Sequence, residues 1–255
     1  MNRHRLPRIL HGEDEAIFDV LPDSVLANFG SSASENAVLW NVVYQLAQPT
    51  ISFRDLLALP YLWGTASRGE DDLAPYYWGF DVRGVRLTRL DDELLTMDGP
   101  GPKTEVDLFL VGAQNLILLE VKNQSAPGQC SRWLGNRCPE VHAPGGPECL
   151  YWDRSPGFQD LLTFSKPALG DDVKGLPPCA RHYQLARTLL LAHRMGQRLD
   201  LQPSVWMVVP RRRWRSLARS WRAFADGVTD SDLWRRLRVL SWEALQSLHA
   251  PEPTA

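Results

Sequence analysis

The sequence predicts an α/β domain with a central mixed β-sheet flanked by helices. Two apolar, β-prone runs at residues 105–111 and 116–122 are separated by four residues and predict a β-hairpin. A leucine-rich helical run from residue 178 to about residue 198 precedes a buried strand over residues 204–209. Strands and helices that alternate in this order indicate an α/β fold.

Length and composition favour one globular domain. The chain has 255 residues, of which 44% are hydrophobic and 23% charged. We expect a core over about 31–210, an inserted Pro/Gly-rich loop over 123–157, and a basic, helical C-terminal extension over 211–250. No run approaches the roughly 18 apolar residues of a membrane span, and the N-terminus leads into charge rather than a secretory segment. We therefore expect a cytoplasmic protein without a membrane partner.

The remaining elements follow from periodicity and capping residues. A serine-rich start and an apolar face predict an amphipathic helix over 31–47, and a second helix is predicted over 52–59, before Pro60. Residues 76–90 favour an extended segment because they are rich in aromatics and valine. Further helices are predicted over 158–164, over 214–225, from Ser231 and from Ser241, with a short strand over 238–240.

The hairpin carries the chemistry of interest. If its loop holds two or four residues, Val111 lies opposite Leu116, Asp107 lies opposite Glu120, and Glu105 lies opposite Lys122. These four charged side chains then share one face of the sheet. Opposed carboxylates repel unless a cation lies between them, and Mg²⁺ prefers carboxylate and water oxygens. A three-residue loop would shift the register and break this arrangement.

Lysine adds a positive charge beside the two acids. The chain has only four lysines, and Lys122 is the one in a core-like segment. Its ammonium can orient or help deprotonate a water and offset negative charge in a transition state. The alternative is a solvated, salt-bridged strand face, since a Glu-X-Lys triplet is common. Asp172-Val173-Lys174 also fits the triplet, but that copy lies in a Gly/Pro-flanked loop.

Val106-Asp107, followed after twelve residues by Glu120-Val121-Lys122, resembles the PD-(D/E)XK, or restriction-endonuclease-like, nuclease superfamily. The resemblance implies a restriction-endonuclease-like core and phosphodiester hydrolysis with Mg²⁺ or Mn²⁺. Asp107 and Glu120 would be metal ligands, and Lys122 would position the nucleophile. DNA is the expected substrate by analogy, with RNA left open. Val106 stands where the family pattern nominally has proline.

Two further elements follow the family's chain order. Ser34-Glu35-Asn36 resembles an upstream helix that supplies an outer metal ligand, which would be Glu35. Residues 183–187 resemble a downstream polar motif, in which Gln184 would orient substrate or Lys122 and Arg187 would contact nucleic acid. The alternatives are that Glu35 serves the first turn of its helix and that Gln184 and Arg187 are surface residues.

The four cysteines leave several interpretations open. Cys130, Cys138, His142 and Cys149 would make a structural Zn²⁺ site that staples the Pro/Gly-rich loop, although tight cysteine pairs are missing. Free reduced thiols are the main alternative, and an iron–sulfur cluster or a redox pair is a further one. Some relatives hold such a cluster with one cysteine before the catalytic motif and three near the chain end, a pattern that this chain does not follow.

A basic segment near the C-terminus suggests a nucleic-acid partner. Arginine alternates with tryptophan there, in an arrangement suited to phosphate contacts and base stacking. The residues concerned are Arg211, Arg212, Arg213, Trp214 and Arg215. A solvated helix start is the alternative. Two rival functions stay open for the chain, a non-catalytic nucleic-acid-binding module and a zinc-stabilised interaction protein, and a homodimer or a protein partner is compatible with each function.

Overall fold

The computed structural model describes residues 8–30, 34–47, 49–101, 106–143 and 148–249, and it confirms the predicted α/β fold. The strands in these ranges are β1 (Ile51–Ser52), β2 (Trp63–Gly64), β3 (Asp72–Tyr77), β4 (Leu108–Val111), β5 (Asn115–Val121), β6 (Gln202–Val209) and β7 (Arg238–Ser241). They form one mixed sheet in the order β1-β3-β4-β5-β6-β7-β2.

Helices cover both faces of the sheet. In the described ranges they are α1 (Asp23–Ala27), α2 (Glu35–Leu46), α3 (Phe53–Ala58), α4 (Leu90–Asp98), α5 (Ser131–Leu134), α6 (Leu150–Asp153), α7 (Phe158–Leu161), α8 (Pro178–Arg181), α9 (Tyr183–Leu199), α10 (Trp214–Ala225), α11 (Ser231–Arg235) and α12 (Trp242–Gln246). None of the helices in the described part of the chain has the length and apolar character needed to cross a membrane.

Sheet topology brings several strand ends to one edge. β3, β4 and β5 pair antiparallel, whereas β5, β6 and β7 pair parallel. Parallel neighbours need a crossover connection, and α9 lies in the connection from β5 to β6. The start of β4 and the ends of β5, β6 and β7 therefore lie at the same edge, which we call the site edge. The β4–β5 turn lies at the opposite edge.

The core has two layers because strand side chains alternate between faces. One layer packs Phe109, Leu118 and Met207 against α4, α9 and α10. The other packs Leu119 and Trp206 against α2, α3 and α12. Burying a leucine or phenylalanine side chain contributes roughly 1.5–3 kcal/mol, so both faces of the central strands stabilise the fold. The strands that end at the site edge are therefore held by packing on both faces of the sheet.

Serine caps place three helix starts as predicted. The hydroxyl of Ser34 accepts a hydrogen bond from the backbone of Ala37 at the start of α2. Ser52 and Ser241 accept equivalent bonds at the starts of α3 and α12. Each bond satisfies a backbone N–H that has no partner within the helix, a contribution of about 1 kcal/mol.

The prediction of an extended segment over residues 76–90 is wrong. β3 ends at Tyr77, and the chain then turns through Trp78 and Arg89, which have φ of 50° and 67°. The Asp81 carboxylate accepts backbone hydrogen bonds from Arg83 and Val85, which closes a turn in place of a strand ladder. The aromatic side chains that suggested a strand serve packing around this turn.

Two helix predictions also change in detail. The helix predicted from residue 178 to about 198 is divided into α8 and α9, with His182 between them at φ −105° and ψ 23°. The helix predicted over 158–164 is shorter and ends at Leu161. The helix predicted over 214–225 coincides with α10, which buries one apolar face.

The predicted hairpin register is confirmed, and Asp71 holds its turn. Val111 pairs with Leu116, and Leu108 pairs with Leu119. The Asp71 carboxylate accepts backbone N–H bonds from each of the three residues 113–115, at 2.9–3.0 Å. Glu105, predicted to lie opposite Lys122, is outside the described residues.

Candidate functional site

Asp107 and Glu120 meet at the site edge. Asp107 precedes β4, and its Oδ2 accepts a 2.7 Å hydrogen bond from the backbone N–H of Val121. Because Leu108 pairs with Leu119, the register continues with Asp107 opposite Glu120. Asp107 lies on the same face of the sheet as Phe109, the face covered by α9.

Glu120 is buried, with 1% of its surface exposed. Its carboxylate accepts hydrogen bonds from the Gln184 amide and, at 2.5 Å, from the Thr188 hydroxyl. Both donors lie on α9, four residues apart and so on one helical face. A buried carboxylate needs such donors, because an unpaired one would carry a large desolvation cost. α9 therefore fixes the position of Glu120.

Lys122 joins the acids into one cluster. Its Nζ lies 3.7 Å from Glu35 Oε2, 3.9 Å from Asp107 Oδ2 and 3.9 Å from Glu120 Oε2. Its backbone N–H donates to the carbonyl of Val208 on β6, which continues the sheet ladder beyond β5. The side chain of Lys122 is only 7% exposed. This group of Glu35, Asp107, Glu120 and Lys122 is called the acid–lysine cluster below.

Glu35 reaches the cluster from the first turn of α2. Its Oε1 accepts hydrogen bonds from the backbone of Asn123 at 2.8 Å and from the hydroxyl of Ser125 at 2.7 Å. Burial raises the pKa of Glu35, but Lys122 and these hydrogen bonds outweigh burial, so the pKa is lowered. Glu35 therefore carries its charge and ties the chain after β5 to α2.

The electrostatics of the cluster are dominated by burial and by the crowding of acids. Burial, and then the charge of Glu120, raises the pKa of Asp107 to about 7. Burial alone lowers the pKa of Lys122, but the carboxylates of Asp107, Glu120 and Glu35 outweigh it and raise that pKa. The Lys122 side chain therefore stays protonated at neutral pH and does not accept a proton.

A divalent cation fits the charge of this donor set. Three carboxylates face one ammonium, which leaves a formal excess of two negative charges. Within the described ranges, however, no three His, Cys, Asp or Glu side chains are placed so that they could hold a metal ion. Mg²⁺ usually takes only one or two protein carboxylates and completes its shell with water and substrate phosphate, so Asp107 and Glu120 would suffice.

Arg187 has a different place from the one predicted. It is 1% exposed, and its guanidinium makes two hydrogen bonds with the Asp98 carboxylate at 2.5 and 3.1 Å. The prediction that Arg187 contacts nucleic acid is therefore wrong for this structure, because the side chain is turned into the protein. The i, i+3 spacing suggested that Arg187 faces the same way as Gln184. Side chains three residues apart on a helix differ in direction by about 60° around its axis, so the two can face different surroundings.

The basic segment begins at the site edge. Arg211–Arg213 form a 3-10 helix directly after β6, and the backbone N–H of Arg211 donates to the Glu243 carboxylate. Along α10, three arginines at i, i+4 and i+7 are exposed and share one face. These are Arg215, Arg219 and Arg222. Trp214 is partly buried against the core layer beneath α10, so its role in base stacking stays a prediction.

The cysteine loop packs near the start of α9. Cys130, Cys138 and Cys149 line one cavity, and Cys179 of α8 lines the same cavity. His142 is not among the lining residues. Its Nδ1 instead accepts a 3.3 Å hydrogen bond from the backbone of Cys138, and its ring contacts Trp133 edge-on. The fourth side chain at this cavity therefore differs from the one in the predicted zinc set.

Sequence reasoning missed several residues that contact the site. Thr188 is an unremarkable helical threonine in the sequence, although its position four residues after Gln184 was a usable signal. Gly128, whose backbone N–H donates to Gln184 Oε1 at 2.7 Å, carries no signal because the contact is purely backbone. Asp98 ends α4 and pairs with Arg187, 89 positions away, so no local pattern connects the two.

Comparisons with known proteins place the chain in a family. No curated protein and no solved structure matches it. A family model described as "Restriction Endonuclease associating with ARP" matches residues 96–252, which is more than half of the chain and includes Asp107, Glu120 and Lys122. With the mixed sheet described above, this match supports a restriction-endonuclease-like relationship. The chain belongs to the family of restriction endonucleases associating with ARP.

Proposed function

We propose that this protein is a metal-dependent nuclease of the PD-(D/E)XK type that hydrolyses phosphodiester bonds in DNA. The observation that carries the proposal is the acid–lysine cluster, in which Lys122 Nζ lies within 4 Å of the carboxylates of Glu35, Asp107 and Glu120. Acids that are clustered and largely shielded from water cost stability through desolvation and repulsion, so such clusters occur preferentially at functional sites.

Asp107 and Glu120 would hold Mg²⁺ or Mn²⁺. When bound, such an ion supplies Lewis-acid activation and charge neutralisation at a phosphoryl group. The protein's own contribution is to fix the two carboxylates before the ion arrives. The Val121 backbone holds Asp107, and Gln184 and Thr188 hold Glu120. Preorganised donors of this kind need little rearrangement during the reaction.

Lys122 would act as a fixed positive charge. Its raised pKa keeps the ammonium protonated, so it serves to orient a water or a phosphate oxygen and to offset charge in the transition state. One carboxylate oxygen of Glu35 pairs with Lys122, and the other accepts a hydrogen bond from the backbone of Asn123. We therefore assign Glu35 a positioning role first, and its role as an outer metal ligand stays a prediction.

Exposed arginines beside the cluster favour a polyanionic substrate. Arg211 and Arg212 follow β6 at the site edge, next to the end of β5 where Lys122 lies. Among the described residues, the arginines on the open face of α10 form no ion pair with a carboxylate, so their charges are available to phosphates. DNA is preferred over RNA by analogy with restriction endonucleases.

The test is cleavage of single- and double-stranded DNA and RNA with Mg²⁺ or Mn²⁺, with excess chelator as the metal-free condition. Asp107→Asn and Lys122→Met are each expected to lower the cleavage rate at least about a hundredfold. Matched controls come from the other acid-X-Lys triplet, Asp172-Val173-Lys174, which ends an exposed 3-10 helix. Asp172→Asn and Lys174→Met are expected to cleave like the wild type.

Thermal stability separates a site role from a structural one. Asp107→Asn removes a repulsive charge from a buried group, so we expect its melting temperature to equal or exceed that of the wild type while cleavage is lost. Equal cleavage by the Asp107→Asn variant and the wild type would overturn the site assignment. DNA binding without cleavage in any metal condition would favour the rival function, a non-catalytic nucleic-acid-binding module.

A further inference from the structure

All four cysteines of the chain meet at one cavity, separate from the acid–lysine cluster. Cys130, Cys138, Cys149 and Cys179 are free thiols that line a cavity of about 190 Å³. Three come from the inserted loop, at positions up to 19 residues apart, and the fourth comes from the helix α8. A chance meeting of every cysteine in the chain is improbable when the sequence separates the first from the last by 49 positions.

Backbone contacts and helix starts place these thiols at the cavity. Cys130 and Cys149 occupy the N-cap positions of α5 and α6. The backbone N–H of Cys130 donates to the carbonyl of Ala180 at 2.9 Å, which fastens the inserted loop to α8 beside Cys179. Trp133 and Trp152 complete an aromatic lining around the thiols.

Hydrogen bonds to sulfur suit thiolates better than thiols. Backbone N–H groups of Glu140 and Val141 lie near the Cys138 sulfur and lower its pKa, and that of Tyr151 does the same at Cys149. The Trp152 indole lies near the Cys179 sulfur and lowers its pKa in the same way. Donors aimed at sulfur are the usual second shell of a metal–thiolate centre, where they tune the potential of the metal.

Burial disfavours the thiolate form of two of these cysteines. Burial raises the pKa of Cys149 to about 11 and that of Cys179 to about 12, and the neighbouring cysteines raise both further. A positively charged centre among the sulfurs would reverse the mutual repulsion of the thiolates.

The open cavity beside the sulfurs favours a cluster over a single ion. Tetrahedral zinc with bonds of about 2.3 Å brings its sulfurs to roughly 3.8 Å from one another. In the described ranges no three metal-binding side chains are placed so that one ion could be held, and the four thiols instead share the lining of a cavity of about 190 Å³. A cubane iron–sulfur cluster is a larger body that takes four cysteine thiolates at its corners.

We propose that Cys130, Cys138, Cys149 and Cys179 bind a [4Fe–4S] cluster in this cavity. Such a centre would staple the inserted loop, whose own apolar core is small and centred on Trp133 and Val141. It would also brace the start of α9, because the backbone of Gly128 in the same loop donates to Gln184, the residue that contacts Glu120. The proposal does not depend on nuclease activity.

The test is metal analysis of the full chain, purified without oxygen and reconstituted with iron and sulfide. We expect about four iron and four sulfide ions per chain, with the broad visible absorption of thiolate-bound iron. Cys179→Ser and Cys149→Ser should each lose most of this iron. His142→Ala is the matched control and should keep it, because His142 does not line the cavity.

Each outcome decides the proposal. Stoichiometric zinc in place of iron, or no bound metal after reconstitution of the wild type, overturns it irrespective of how the variants fold. Loss of iron in His142→Ala with retention in Cys179→Ser would favour the set of Cys130, Cys138, His142 and Cys149 instead. Circular dichroism of the variants separates loss of ligand from loss of fold. Cleavage assays are not needed, so failure of the nuclease proposal leaves this test intact.

Discussion

The side-chain amide of Gln184 donates a hydrogen bond to the buried carboxylate of Glu120 across 64 positions of sequence. Its carbonyl oxygen accepts from the backbone of Gly128 at 2.7 Å. One residue of α9 therefore links the end of β5 to the inserted loop that carries the cysteines. The position of Glu120 in the acid–lysine cluster depends on this link.

Gln184→Ala is expected to destabilise the protein by about 1–3 kcal/mol, because a buried carboxylate loses a donor. Cleavage is expected to fall as well, since Glu120 gains freedom to move. Urea unfolding and a DNA cleavage assay measure the two effects. Gln159→Ala is the matched control, because Gln159 is exposed and bonds only to its own neighbourhood. Unfolding free energies that match for wild type and Gln184→Ala would rule out the holding role.

Arg187 and Asp98 form a buried ion pair that replaces the predicted contact with nucleic acid. Arg187→Met is expected to cost about 3–5 kcal/mol of unfolding free energy, because it leaves a buried carboxylate without its partner. Adding Asp98→Asn should restore most of that loss, since the uncompensated charge is then removed. A stable Arg187→Met variant with weakened DNA binding would instead restore the original interpretation of this residue.

The arginine face of α10 is expected to contact DNA phosphates, on the basis of the proposed function. Arg219→Ala should weaken binding to duplex DNA of any sequence and reduce the slope of log affinity against log salt by about one. Arg54→Ala is the control, because Arg54 is exposed near the β4–β5 turn, at the opposite edge of the sheet. An unchanged salt slope for Arg219→Ala would exclude α10 from the binding surface.

The sequence alone predicts those parts of the fold that depend on short-range patterns. Two continuous apolar, β-prone runs predict the hairpin, and its register then places Asp107 opposite Glu120. The turn length could not be predicted, because it depends on Asp71, which binds the turn from another strand. The burial of Arg187 was equally hidden, since its partner Asp98 lies 89 positions away.

The cysteine cavity illustrates the same limit. Spacing along the chain selected His142 because it lies between Cys138 and Cys149, whereas the fold brings in Cys179 from beyond two further helices. Ligands that converge through tertiary structure carry no local signature. The loop and α8 are brought together by a backbone bond from Cys130 to Ala180, and backbone bonds leave no trace in side-chain identity.

The last prediction concerns Glu93, a buried acid of α4 that accepts hydrogen bonds from Arg194 and Arg198 of α9, each at 2.7 Å. Burial raises the pKa of Glu93, but the two arginines outweigh it and hold the pKa below its ordinary value of 4.5. A lowered pKa in the folded state means that ionised Glu93 stabilises the fold at pH values above 4.5. That contribution is lost as the pH falls through the folded-state pKa.

Glu93→Gln is therefore expected to lower the unfolding free energy by about 2 kcal/mol at neutral pH, because two charge-assisted hydrogen bonds become neutral ones. The difference from wild type should shrink in acid, where wild-type Glu93 also becomes uncharged. Urea unfolding at a series of pH values measures this difference. Glu70→Gln is the control, since Glu70 pairs with Arg54 at a surface where its side chain is 82% exposed, and such pairs contribute little. A difference that stays constant from neutral to acid pH would show that Glu93 acts through packing and not through its charge.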